Sequence, residues 1–113
     1  MPRILLVDDD ATLLDLLRRY LERQGYEVKT SSSAEEALDV FDADRDTLLV
    51  ADLTLPGMTG EQLLREMRRK CPALTGVITS GYPYESQLFG SRFLQKPFMP
   101  QALVAEIEKL LKD

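Results

Sequence analysis

The sequence predicts an α/β fold, a doubly wound sheet of five parallel strands in the order 2-1-3-4-5. Three observations predict it. Four short runs rich in Val, Ile and Leu show no polar alternation, the pattern of strands buried on both faces. Helical patterns lie between them at spacings that suit right-handed βαβ units. Each run also stops at a polar residue, and in such sheets ligands bind beyond the carboxyl ends of the strands.

Arg3-Ile4-Leu5-Leu6-Val7 is the first strand and stops at Asp8-Asp9-Asp10. Asp10 reads as the N-cap of the helix that follows, because its short carboxylate can accept from free N–H groups of a first turn. Leu13, Leu14, Leu17 and Leu21 recur at helical spacing, and Gly25 is a fitting stop. Glu27-Val28-Lys29-Thr30 alternates like a short, partly exposed second strand. Ser33-Ala34-Glu35-Glu36 has the form of a capping box, with Ala37, Leu38 and Phe41 expected to face inward. Thr47 to Ala51 is the third strand and stops at Asp52. The next helix opens at Thr59 with Gln62 in the box position and ends before Pro72. Gly76 to Thr79 stops at Ser80-Gly81, and Arg92 to Gln95 stops at Lys96-Pro97. Pro100, a good first-turn residue, opens a last helix through Leu103, Ile107, Leu110 and Leu111.

The connection between the fourth and fifth strands is the unusual one. Residues 81 to 91 must make the whole crossover, close to the minimum of about 10–12 residues for a βαβ unit. Gly81, Pro83 and Gly90 restrict it further, so at most Tyr84 to Phe89 can be helical. A shortened or missing fourth helix is expected.

At 113 residues the chain reads as one domain, residues 1–113, with no linker or repeat. A net charge of −5 without a basic stripe argues against nucleic-acid binding. Cys71 is the single cysteine, so no internal disulfide can form, and no signal peptide or membrane span is evident. The cytoplasm is the expected location. There are no histidines, which excludes His-based triads and acid–base catalysis and any phosphohistidine of the chain's own.

If the strands are parallel, Asp8, Asp9, Asp52, Ser80 and Lys96 meet at one end of the sheet. Three carboxylates against one lysine repel each other unless protons or a cation neutralise them. All-oxygen donors favour Mg²⁺, which binds through one or two carboxylates and keeps several waters. Such a cation suits phosphoryl transfer, where charge builds on the phosphoryl oxygens. Lys96 can meet a phosphoryl oxygen as a point charge, Ser80 can donate to another, and Gly81 leaves room for the approach. A carboxylate such as Asp52 is a competent nucleophile for an aspartyl phosphate.

Taken together, Val7-Asp8-Asp9-Asp10, Asp52-Leu53-Thr54-Leu55-Pro56-Gly57-Met58-Thr59-Gly60, Thr79-Ser80-Gly81-Tyr82 and Phe93-Leu94-Gln95-Lys96-Pro97-Phe98 resemble the receiver domain of two-component response regulators, which has a flavodoxin-like fold. The resemblance covers nearly the whole chain. It implies that Asp52 is the phosphoacceptor and that Asp8, Asp9, Asp52 and the Thr54 backbone carbonyl hold Mg²⁺ or Mn²⁺. Ser80 and Lys96 would bind the phosphoryl group, and Phe93 would be the aromatic switch residue. The implied donor is a phosphohistidine on a sensor histidine kinase or phosphotransfer domain. The implied chemistry is self-catalysed acceptance and loss of the phosphoryl group, with Thr54 and Tyr82 flanking the site. Resemblance to receivers fused to hybrid kinases makes a fragment of a larger protein the expected context. A phosphatase that uses an aspartyl phosphate would need a second acid where Thr54 stands. A pseudo-receiver that acts only as an interaction module is the alternative, kept open by the short crossover.

Overall fold

The computed structural model describes residues 2–85 and 88–112. Their elements run β1 (Arg3–Val7), α1 (Ala11–Arg23), β2 (Glu27–Ser31), α2 (Ala34–Val40), β3 (Leu48–Asp52), α3 (Gly60–Arg68), β4 (Thr75–Ser80), β5 (Ser91–Gln95) and α4 (Pro100–Leu111). All four strand pairings are parallel, in the order β2-β1-β3-β4-β5.

Strand periodicity divides the core in two. Leu5, Val7, Leu49 and Ala51 point to one face and pack with Ala37 of α2 and Leu63, Leu64 and Met67 of α3. Ile4, Leu6, Leu48 and Val50 point to the other and pack with Leu14, Leu17 and Leu21 of α1 and Leu103 and Ile107 of α4. Successive strand residues face opposite sides, so an unbroken apolar run needs helices on both. Burying each such Leu or Ile contributes about 1.5–3 kcal/mol.

The caps follow local sequence with one exception. Asp10 accepts from the N–H groups of Thr12 and Leu13, each at 3.1 Å. Thr59 and Gln62 form a complete capping box on α3. On α2 the Ser33 hydroxyl accepts from Glu36, but the Glu36 carboxylate accepts from Ser32 rather than Ser33, so the box closes one residue early. Helix α2 is also short. Leu38 is exposed rather than inward, and Phe41 stands just past the helix end, half-buried against the core. Gly25 has a φ of 98°, which a residue with a side chain rarely adopts, as the turn after α1 requires.

No helix occurs among the described residues between β4 and β5; Ser86 and Gln87, within the stretch that had room for one, lie outside them. The connection is held instead by scattered contacts. Leu88 packs on the α2–α3 side of the core, and its carbonyl accepts from the Ser91 hydroxyl at 2.7 Å. The Tyr84 ring meets Phe93 edge to face, with centroids 5.9 Å apart.

Candidate functional site

Strand register builds the site. Val7 of β1 pairs with Ala51 of β3, so Asp8 and Asp52 occupy the next step on neighbouring central strands. Asp52 in turn pairs with Thr79, and Ser80 pairs with Gln95, which delivers Lys96 one residue later. The Lys96 N–H donates to the Ser80 carbonyl at 2.7 Å, continuing the ladder beyond the end of β5. The Lys96–Pro97 peptide is cis.

The ammonium of Lys96 bridges two carboxylates, 2.7 Å from Asp8 Oδ2 and 2.9 Å from Asp52 Oδ2. Burial would pull the lysine pKa down, yet the hydrogen bonds it donates to Asp8 and Asp52 outweigh that and hold it above its ordinary value. Asp8 is buried, Asp52 half-buried and Asp9 exposed, and one carboxylate oxygen from each lies within 4.8 Å of the others. Backbone N–H groups orient the second oxygens of Asp8 and Asp52. Asp8 Oδ1 accepts from the Asp10 N–H at 2.9 Å, and Asp52 Oδ1 accepts from the Thr54 N–H at 3.0 Å. Three acids and one lysine leave the cluster two negative charges in excess. With oxygen donors only and an exposed edge at Asp9, it fits a hard divalent cation such as Mg²⁺.

Thr54 lies at the rim, exposed, in a bridge with Thr59. Ser80 is buried at the end of β4, and its Oγ accepts from the Tyr82 N–H at 3.0 Å, a contact that leaves the hydroxyl proton for an acceptor. A Cβ on Gly81 would meet no atom within 4 Å, so packing in this state does not demand glycine there. Tyr82 is exposed, while Phe93 is half-buried on β5. The structure thus brings Asp8, Asp9, Asp52 and Lys96 into one cluster, with Ser80 in the strand between Asp52 and Lys96.

Two residues to which the sequence assigns no functional role share a groove with Thr54. Glu61, in the first turn of α3, is buried, and the Tyr84 hydroxyl donates to its carboxylate. Arg65 sits 3.6 Å from the same carboxylate. Burial, reinforced by Glu61, pushes the Tyr84 pKa up to about 12. Both line an open groove of about 690 Å³ with Thr54, Met58 and Gln62. An acid in a helix first turn ordinarily reads as a solvated partner of the helix dipole, so Glu61 carries no local signal of burial.

The family model for the response regulator receiver domain matches residues 4–108. The response regulator SaeR of Staphylococcus aureus (strain USA300) is 30% identical over 98% of this chain and 51% of its own length, so the chain spans about half of that relative. Among solved structures, the response regulator TrrA of Thermotoga maritima, in complex with Mg²⁺–BeF, superimposes with a TM-score of 0.85 at 32% identity, covering 97% of this chain and 99% of that one. The receiver domain of the hybrid histidine kinase CckA gives 0.84 at 31% identity, covering 96% and 98%.

Proposed function

The chain belongs to the response regulator receiver domain family, and on that premise we propose that it is a phosphorylation-dependent switch whose phosphoacceptor is Asp52. The observation that carries the reading is Lys96 bridging Asp8 and Asp52 at the carboxyl ends of the central strands. An Asp52 carboxylate oxygen attacks the phosphorus of a phosphohistidine on a partner kinase or phosphotransfer domain. The P–N bond breaks as the O–P bond forms, and the imidazole leaves with its electron pair. Lys96 meets a phosphoryl oxygen, and the Ser80 hydroxyl gives up Tyr82 to donate to another. Asp8, Asp9, Asp52 and the Thr54 carbonyl would hold Mg²⁺ or Mn²⁺, which supplies Lewis-acid stabilisation of the charge on the transferring group. Phe93 then repacks and biases a pre-existing equilibrium between two surfaces.

The cytoplasm suits such a partner, and among the described residues no helix is long and apolar enough to cross a membrane. We place residues 1–113 in a single receiver domain, and the likeness to the CckA receiver fits a hybrid-kinase context.

Incubation with Mg²⁺ and acetyl phosphate is expected to add one phosphoryl group by intact mass, and Asp52→Asn to abolish it. A wild-type chain that stays unlabelled, under conditions that label a control receiver, would overturn the switch in favour of an interaction module.

A further inference from the structure

The first residues of the crossover, from Ser80 to Tyr84, are anchored at two points. Ser80 is fixed within β4, its carbonyl bonded to Lys96 and its hydroxyl to the Tyr82 N–H. Four residues on, Tyr84 is tied to the buried Glu61 carboxylate and lies edge-on to Phe93. Pro83, with its fixed φ, stiffens the segment between. Glu61 belongs to the turn of α3 whose first residue, Gly60, abuts Asp52: a Cβ on Gly60 would lie 2.4 Å from the Asp52 carbonyl oxygen. A continuous path of contacts therefore runs from Asp52 through α3 to Tyr84 and back along the crossover to Ser80.

Drawing the Ser80 hydroxyl toward Asp52 takes the acceptor away from the Tyr82 N–H and loosens the segment that holds Tyr84 in place. Repacking Phe93 breaks its contact with Tyr84. Both motions work against the Tyr84–Glu61 hydrogen bond, a charge-assisted bond of the stronger class. Resting on the switch reading above, we propose that Glu61 and Tyr84 are positioning residues, a latch that holds the short crossover in the unphosphorylated arrangement and sets how readily Ser80 reaches the phosphoryl group. Neither residue touches the reacting atoms. The latch ties the crossover to α3.

The test uses the whole chain with Mg²⁺ and beryllium fluoride as the phosphoryl mimic, alongside acetyl phosphate labelling. Tyr84→Phe keeps the ring on Phe93 and removes only the hydroxyl; Glu61→Gln removes the charge. Each is expected to tighten beryllium fluoride binding roughly tenfold and to speed labelling, because the resting state loses a contact that the active state lacks. The double variant is expected to gain no more than Tyr84→Phe alone, which already removes the whole bond, the signature of one shared interaction. Unchanged or weaker binding in Tyr84→Phe, with or without a lower melting temperature, would assign the pair a purely structural role and overturn the latch. Additive single effects would overturn it equally. If Glu61→Gln fails to fold, Tyr84→Phe alone decides. A wild-type chain that neither binds the mimic nor labels would sink the switch reading itself, and the latch with it.

Discussion

Lys96 reaches Asp8 and Asp52 from a strand that adjoins neither of theirs, and its charge is what lets those two carboxylates approach each other. Removing it leaves like charges facing across a partly buried site, where screening by solvent is weaker than at a free surface. Lys96→Ala is therefore expected to melt earlier than wild type in chelator, and to gain more than wild type when Mg²⁺ is added, because a cation bound only by the folded state stabilises it by mass action. Differential scanning fluorimetry reads this directly. Equal gains in the two proteins would mean that the lysine does not hold the acids together. Ser80 shows a different economy at the same scale: one hydroxyl accepts from Tyr82 now and keeps its proton for a later partner.

Among the elements, α3 is the one most closely fitted to the site. Its first residue lies so near the end of β3 that a methyl group would collide with the Asp52 carbonyl oxygen and lie 3.1 Å from the Ala51 side chain. Gly60→Ala is expected to cost about 1–3 kcal/mol by forcing backbone to move. It should also slow acetyl phosphate labelling, since the backbone that moves carries Asp52. Thr59→Ala, one residue earlier, removes the cap at a cost of about 1 kcal/mol and is expected to leave labelling intact. A loss of stability in both, with slower labelling in only one, separates position from stability.

The last helix is tied to the edge strand by Arg92 and Glu106, with Lys109 a second partner of that carboxylate. Burial would raise the Glu106 pKa, but the hydrogen bonds to Arg92 and Lys109 outweigh it and hold the carboxyl below its ordinary 4.5. The folded state thus binds this proton less readily than the unfolded chain. The resulting stabilisation is present above pH 4.5 and fades as pH falls through the lower folded value. Arg92→Ala is expected to lose stability near neutral pH and to converge toward wild type in acid. Urea midpoints measured across that range check it, and a constant difference would exclude the ion pair as the cause.

At the scale of the whole molecule, the two ends of the sheet divide the work. The carboxyl end gathers unbalanced negative charge. Near the opposite end Asp46 is buried between Arg3 of β1 and Lys29 of β2, at 2.6 and 3.0 Å, and also accepts from the Asp42 N–H. Here the single acid is surrounded by two cations, the reverse of the balance at the carboxyl end. Asp46→Ala is expected to cost about 2 kcal/mol, because it strands a backbone donor and two cations that still reach some solvent. Labelling at Asp52 should survive under native conditions, since the loss falls at the far end of the strands. Loss of labelling in a folded Asp46→Ala protein would show that the two ends are coupled.

The sequence by itself determined the strands, their order and the residues at their carboxyl ends. Apolar runs are local patterns, the alternation of strands and helices implies parallel pairing, and once Val7 and Ala51 lie side by side, Asp8 and Asp52 must follow. It also determined the caps at Asp10 and Thr59, whose partners lie within three residues. It misjudged Leu38, because helical spacing assigns a face but α2 is only two turns long and leaves that face at its edge. It could not show Lys96 spanning two carboxylates, Asp46 holding two strands, or Tyr84 reaching Glu61. Those contacts join residues between 17 and 88 positions apart, and no spacing rule encodes them. The tertiary structure alone decided them, since side-chain reach and burial exist only after the sheet and both helical layers have formed.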